Sequence, residues 1–447
     1  MFRCRRVFLI IGCLAQLAIA QTSGDAKLSL SERAFTASKI YSLLRLYFSG
    51  WKTLPDFDLD IAYRNYLEKV LASDDRRQFD LATMEFVARL HNGHTLFSDS
   101  WLMQNYGQPL GFYARPLDRK WVVEISGLPS IKPGDVLSQV DDTDIESYFR
   151  QQEKYISGSS EAGQRHNTFF LTYLFPQQFT LTLGDGRKIR IDRSINKLPA
   201  AANTNAEERW LRQGTVAYIR IPSLANPLLE EKALSFVTQF QKATALVIDV
   251  RNNAGGLSAH RLIKALMNST YRTWKESTPI HISLFEYLNE MYKGSQSKEI
   301  PDFERGYVSA FSDVFGDSQM TWGGAQVAPE HPVFHGRIIF LVDGGCASAC
   351  EELVQPFKDN QRGTLVGETT EGTAGPAYIH DFHNGMTIGV AVKRRYFPDG
   401  SEFEGVGIKP DVEVRPSIDD LKNGRDVVLD KALELAEKQN HPGLGNN

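Results

Sequence analysis

Two short apolar runs, Ala245–Val250 and Arg337–Val342, each lead through a glycine-containing loop into an amphipathic stretch, near Ser258–Met267 and Ser348–Lys358. Runs of this length bounded by glycine turns read as strands buried on both faces, and such strands need helices packed on either side. A strand at Val216–Ile221 and a helix at Leu229–Phe240 precede them, so strand and helix alternate from Gly214 onward. That alternation predicts an α/β core with a largely parallel sheet. The chain upstream has a different period. Leu43, Leu44, Tyr47 and Phe48, then Leu81, Met84, Val87 and Leu90, recur at helical spacing, so residues 28–92 read as helical. Residues 107–193 turn to β-type runs at Trp121–Ile125, Phe179–Leu183 and Ile189–Ile191, with Gly184-Asp185-Gly186 as a hairpin turn. Leu198–Asn205 reads as a linker, and the aromatic-rich Asn268–Phe334 as a helical insertion or lid.

A length of 447 residues is too great for one simple core and suggests about three domains. The net charge of −4 and the lack of any long Lys/Arg run exclude a nucleic-acid partner held by phosphate attraction. Arg3, Arg5 and Arg6, the apolar run Val7–Ile19 and the small-x-small site Ala18-Ile19-Ala20 together read as a cleaved secretory signal over residues 1–20. The run is too short to span a bilayer, and no second run of membrane length follows. A lipoprotein reading at Cys13 leaves too short an apolar region. The expectation is a protein exported to the periplasm or secreted, without stable membrane insertion, whose net charge falls to −7 once three arginines leave. Of four cysteines only Cys346 and Cys350 would remain, which excludes a disulfide scaffold. At i, i+4 around Ser348 they read as two packed thiols, because a disulfide there needs unusual local geometry. They also lack the second ligand pair of a structural zinc site.

Four stretches can carry chemistry. Asp249-Val250-Arg251-Asn252-Asn253-Ala254-Gly255-Gly256 follows a buried strand, and its glycines leave backbone N–H groups open to an oxyanion. On spacing alone it is equally a tight turn with a salt-bridged Asp–Arg pair. Asp343-Gly344-Gly345-Cys346-Ala347-Ser348-Ala349-Cys350-Glu351 repeats the design: Ser348 with Glu351 fits a capping box, and a nucleophilic serine would occupy the same place at the helix start. Among ten histidines, His94 follows the Asn92-Gly93 turn, where it can be presented to a cleft, with His91 its nearest rival. Glu404, between Phe403 and Gly405-Val406-Gly407, is either an exposed loop glutamate or a partly buried carboxylate that orients a histidine. The sequence has no G-x-S-x-G, H-E-x-x-H or G-x-x-x-x-G-K-[ST], which weighs against a lipase-like hydrolase, a zinc protease and a P-loop nucleotidase.

Together these stretches resemble the S41 family of serine peptidases, which includes the C-terminal processing proteases and the tricorn core protease. The resemblance is carried by Val216–Pro222, Asp249–Gly256, Ser348–Glu351 and Glu404–Asp411, inside matches over Gly214–Leu257 and Gly336–Val414. Leu90–Thr95 is similar to the histidine-bearing end of the family's helical region, and Ile131–Leu137 with Asp141-Asp142 looks like the interior of a PDZ domain. The resemblance implies a crotonase-like (ClpP/crotonase-type) α/β catalytic core at 196–447 with an insertion at 268–334. It further implies an N-terminal helical region at 21–105 and a PDZ-like β-rich module at 106–195. C-terminal processing members place a lysine base 25 residues after the serine; here that position is Thr373, which cannot be the base. The sequence is then similar to the Ser–His–Glu subgroup, which implies Ser348 as nucleophile, His94 as base and then acid, and Glu404 as its orienter. The backbone N–H of Ala349 and of Gly255 or Gly256 would form the oxyanion hole, and Leu110-Gly111-Phe112 would receive a peptide carboxylate. The implied activity is endopeptidase cleavage of polypeptides without metal or organic cofactor. A catalytically silent peptide- or ligand-binding protein, as S41-like modules also form in a retinoid-binding protein, and a small-ester hydrolase are the alternatives.

Overall fold

The computed structural model describes residues 27–73, 75–196, 205–279, 319–329 and 333–438. The signal expected at 1–20, and all but Asn205 of the expected linker, lie outside them. Helices α1 (Leu30–Tyr47), α2 (Leu59–Leu71) and α3 (Arg76–Ala88) come first. Ser29, Asp58 and Asp75 start them, each with a side-chain oxygen that takes a backbone N–H the first turn leaves unpaired. After a turn at residues 89–95 the chain enters strand β1 (Leu96–Asp99) and helix α4 (Ser100–Tyr106).

Strands β2 (Phe112–Leu117), β3 (Lys120–Ser126), β4 (Val136–Val140), β5 (Thr143–Asp144), β6 (Gln178–Leu183) and β7 (Lys188–Asp192) follow. They form an antiparallel sheet in the order β2-β3-β4-β6-β7, with β5 paired to β4. Helices α5 (Ile145–Gln152) and α6 (Glu161–Asn167) lie between β5 and β6 in sequence. This sheet and the first three helices bury their apolar faces in one continuous cluster, in which Phe79, Phe97, Leu102, Phe112 and Tyr173 all take part.

From residue 207 the chain builds a second six-stranded sheet. Its elements are β8 (Glu207–Arg212), β9 (Val216–Arg220), α7 (Pro227–Gln239), β10 (Ala245–Asp249) and α8 (His260–Leu266). The chain then adds β11 (Tyr271–Arg272), β12 (Lys275–Pro279), β13 (Gln319–Gly323), β14 (Gln326–Val327), β15 (Arg337–Val342), α9 (Ala349–Asp359) and β16 (Gly363–Gly367). Last come β17 (Ala377–Asp381), β18 (Met386–Ala391), β19 (Arg394–Tyr396), β20 (Val412–Glu413) and two helices, Ile418–Lys422 and Val427–Glu437. The strand order is β20-β16-β15-β10-β9-β8, parallel throughout except at the β8 edge. All five residues of β10 are buried because both faces of the sheet are covered. On one side Leu246, Ile248, Ile338 and Phe340 pack with α7, α8 and α9 residues such as Val237, Leu262 and Leu353. On the other, Val247, Ile339 and Leu341 meet Val428 and Ala432 of the last helix.

Of the segment Asn268–Phe334, expected as a helical insertion or lid, residues 280–318 and 330–332 lie outside the described residues; its described flanks are strands, with β12 paired to β13 and β19, and β11 to β14. Burial in β12 comes from polar pairing, which hydrophobic periodicity does not register. Glu276 is held by Lys393 and Arg395, and the Thr278 hydroxyl donates to the Val392 carbonyl. A small third sheet, β1-β18-β17, joins the N-terminal part to the core through the register Leu96↔Gly389 to Asp99↔Met386. Among the described residues no helix is long and apolar enough to cross a membrane.

Candidate active site

The carboxyl ends of β10 and β15 lie side by side, and the loops leaving them meet. Asp249 is paired with Arg251, which also binds Asp426 at the head of the last helix. The salt-bridged pair of the plain reading is therefore present, and it fixes the root of the loop. Beyond it Gly255 sits at φ +88°, and a Cβ there would lie 2.7 Å from both the Ala349 nitrogen and the Ser348 Cβ. Only glycine allows this loop to lie against the start of α9.

Ser348 occupies the turn between β15 and α9 at φ +55°, ψ −119°. A non-glycine residue in this region is strained, and a sharp strand-to-helix turn of this kind pushes the side chain of its central residue out of the backbone's path. The sequence lacks G-x-S-x-G, but the backbone makes an equivalent elbow. The Ser348 N–H is bound by the Thr373 carbonyl at 2.8 Å and the Glu351 carboxylate at 3.3 Å. Its Oγ lies 3.1 Å from His94 Nε2. Cys346 and Cys350, expected as packed thiols, are instead joined by a disulfide. With Ser348 in the turn between them, their Cα atoms are 5.4 Å apart, within the usual bridging range.

His94 reaches this position because the chain on both sides of it is tied down. Its N–H donates to Asn92 Oδ1 at 3.0 Å, and β1, starting two residues later, pairs with β18. The ring is buried, at 2% exposure. Burial, then the Arg395 guanidinium, push its pKa down to about 4, opposed by Glu352. The imidazole is therefore neutral at physiological pH.

Glu404, expected to be held against His94, does not touch it. Thr373 stands between them: its Oγ1 is 2.9 Å from His94 Nδ1 and 3.3 Å from Glu404 Oε1. Asn92 Nδ2 and the Ser159 hydroxyl also donate to Glu404 Oε1, at 3.2 and 2.5 Å. The directions of these bonds follow from the inventory of donors. An ionised Glu404 can only accept, so the Thr373 hydroxyl donates to it. Thr373 Oγ1 then accepts the N–H of His94 Nδ1, which leaves the Nε2 lone pair facing the Ser348 hydroxyl. Burial raises the Glu404 pKa, and the bond from Ser159 and the Arg394 charge oppose the rise.

Sequence reasoning missed the parts played by Thr373 and Ser159, and it saw Glu351 only as the partner of Ser348 in a capping box, which the structure contains. The count of 25 residues from Ser348 did single out Thr373, but only to reject it as a base. Glu351 accepts the N–H groups of Gly372 and Thr373, at 2.8 and 3.0 Å, besides that of Ser348 and the hydroxyl of Thr370. It thus clamps the loop that carries Thr373 to the head of α9. Nothing local marks Ser159 as part of a site 189 residues before Ser348.

The expected oxyanion donors lie next to Ser348, with one narrowed. The Gly255 N–H is taken by Asn253 Oδ1 at 2.9 Å. Ala349 and Gly256 are the two of the three whose amides have no acceptor among the described residues. The expected peptide-carboxylate loop leads into edge strand β2. The Leu110 and Phe112 side chains are buried in the shared apolar cluster, Asn196 Nδ2 binds the Leu110 carbonyl, and the Gly127 N–H binds that of Gly111. Any ligand there would meet backbone at the end of edge strand β2. Among the described residues no cluster of three or more His, Cys, Asp or Glu is placed to hold a metal ion.

A serine on a strained turn, a buried neutral imidazole and a carboxylate joined through a hydroxyl are the parts from which a serine-type hydrolase is built. The model of peptidase family S41 matches residues 215–414. The carboxyl-terminal-processing protease of Synechocystis sp. is 28% identical over 266 residues, covering 58% of this chain and 50% of that protein. The chloroplastic C-terminal processing peptidase of Tetradesmus obliquus is 35% identical over 81 residues, 18% of each chain. The chain thus matches half or less of the length of these curated relatives. Mature CPAF complexed with lactacystin has a similar fold, with a TM-score of 0.68 at 15% identity over 91% of this chain and 98% of that one. The photosystem II D1 C-terminal processing protease gives 0.50 at 18% identity, over 86% of this chain and 94% of the other. The mixed α/β fold is therefore that of S41 proteases.

Proposed function

We propose that this chain is an exported serine endopeptidase that cuts polypeptides through an acyl-enzyme on Ser348. The observation that carries this reading is the 3.1 Å contact between Ser348 Oγ and His94 Nε2, with the imidazole neutral and its other nitrogen bound to Thr373. His94 takes the hydroxyl proton as Oγ attacks the peptide carbonyl, and the Ala349 and Gly256 amides meet the oxygen that becomes negative. The protonated His94 then gives its proton to the leaving amine nitrogen as the C–N bond breaks. Water, deprotonated by the same ring, attacks the ester carbonyl and restores the Ser348 hydroxyl. The positive charge on His94 is met through Thr373 by Glu404, which steadies the ring without contacting it. On this reading the parallel-sheet region is a crotonase-like core and the antiparallel sheet a PDZ-like module that presents an extended tail.

The test compares wild type, Ser348→Ala and Thr373→Val on unfolded casein and on a library of tailed peptides. Ser348→Ala is expected to abolish cutting. Thr373→Val is expected to lower kcat by roughly tenfold to a hundredfold with KM little changed, the scale of a hydrogen bond within a charged network. Cutting by Ser348→Ala at the wild-type rate would overturn the mechanism. If wild type binds peptides and never cuts them, the chain is a binding protein.

A further inference from the structure

Behind His94 the polar chain contains a hydroxyl from outside the family-matched region. Ser159 lies between α5 and α6, in the sequence that builds the antiparallel sheet, yet its side chain reaches the site of Ser348 and His94. Its hydroxyl donates to Glu404 Oε1 at 2.5 Å, lies 3.2 Å from Thr373 Oγ1 and accepts the Gly93 N–H at 3.0 Å. One side chain thus touches the turn that presents His94, the hydroxyl that binds its Nδ1 and the carboxylate behind both. The contact is built into the backbone as well. A Cβ on Gly405 would lie 2.7 Å from the Ser159 carbonyl oxygen, so the loop after Glu404 is pressed onto this segment. Two further contacts dock the same segment on the loop that carries Thr373. Asn167 Nδ2 donates to Glu371 Oε1 at 3.3 Å, and a Cβ on Gly163 would lie 3.1 Å from Glu371 Cγ.

We propose that Ser159 is a positioning residue for the reaction on Ser348, and that through it the seating of the antiparallel-sheet module on the core completes the relay behind His94. The inference rests on the hydrolytic reading above. Its physical content is the accounting of acceptors on Thr373. With Ser159 and Asn92 fixing Glu404, the carboxylate is held where the Thr373 hydroxyl donates to it, and Thr373 Oγ1 is free to accept from Nδ1. Without the Ser159 hydroxyl, Glu404 keeps only Asn92 and Thr373 as side-chain donors, and the Gly93 N–H loses its acceptor. The charged and titratable groups facing Glu404 are His94 through Thr373, Glu371 and Arg394. Removing a donor from Glu404 raises its affinity for a proton, so the acid limb of the rate profile moves to higher pH.

The experiment measures Ser159→Ala, Glu404→Gln and the double variant by two readouts: the rate of covalent labelling of Ser348 by a fluorophosphonate, and the pH dependence of kcat/KM on a cleavable peptide. Ser159→Ala should label and turn over roughly tenfold to a hundredfold more slowly, with KM nearly unchanged and its acid limb displaced upward. The double variant should be little slower than Glu404→Gln alone, since both act through one chain. Ser159→Thr, which keeps the hydroxyl, should recover part of the labelling rate. Labelling and turnover of Ser159→Ala at the wild-type rate would overturn the proposal while leaving Ser348 as nucleophile. So would additive losses in the double variant. No labelling of wild type at Ser348 would instead overturn the hydrolytic reading, and this inference with it.

Discussion

His94 is enclosed and close to Arg395, and both effects hold its pKa down to about 4. The neutral ring is the form that accepts a proton. A lowered pKa keeps that form populated as pH falls through the ordinary histidine value of about 6.5. Glu404 acts in the opposite sense: its pKa is raised by burial, and its protonation removes the acceptor for Thr373. Both protonations silence the site from the acid side. The expected outcome is a kcat/KM that holds through pH 6.5 and is lost well below it. A pH–rate profile on a short peptide checks this, and an acid limb centred at 6.5 or higher that persists in Glu404→Gln would show that His94 is more open to solvent than its burial implies.

At the scale of elements, the loop from Thr370 to Thr373 is placed by α9 more than by its own sequence. Glu351, on the first turn of that helix, takes three backbone N–H groups and one hydroxyl, and burial pushes its pKa well up. Glutamine at 351 keeps the size but turns one oxygen into a donor facing N–H groups. Glu351→Gln is therefore expected to cost about 1–3 kcal/mol of stability and to slow turnover as Thr373 shifts. Urea denaturation followed by an activity assay on the folded variant checks both. The elements themselves were readable wherever burial leaves an apolar period. Ala245–Val250, Arg337–Val342 and the helices around Leu43 and Met84 follow from that period directly. Strand β12 did not, because Glu276 and Thr278 are buried by partners far along the chain. The site divides in the same way. The glycine loops and the Ser348 turn have local signatures; the Asn92-Gly93 turn offered His94 and the apolar neighbours offered Glu404, each beside a plain alternative that the family likeness set aside. The hydroxyls of Thr373 and Ser159 have no signature, since a threonine or serine in a loop looks the same whether or not a histidine lies against it.

For the whole molecule, the β1–β18 pairing is the seam between the N-terminal part and the core, and a buried ion pair secures it. Arg76 binds Asp99 through Nε and Nη2, at 2.5 and 2.9 Å, with both side chains 1% exposed or less. Arg76 Nη2 also donates to the Asn384 carbonyl, in the turn between β17 and β18. Arg76→Ala leaves a carboxylate buried without its partner, which typically costs about 3–5 kcal/mol. Because β1 follows His94 directly, turnover is expected to fall more steeply than folded protein does on warming. Circular dichroism and peptide hydrolysis measured across the same temperature range check this.

The polar chain around Ser348 draws on positions 94, 159, 348, 373 and 404, in that order along the polypeptide. A ribosome releases them in the same order, and the N-terminal parts of a chain fold first. The imidazole is therefore made long before the hydroxyl it faces, and the carboxylate comes last. A half-synthesised chain holds a histidine with nothing to activate, and one halted before residue 404 holds a serine whose relay has no anchor. The site therefore stays incomplete for as long as the chain is being made. The separation of its reactive groups along the sequence is itself the delay, and it ends only when the last strands and loops close on the first helices.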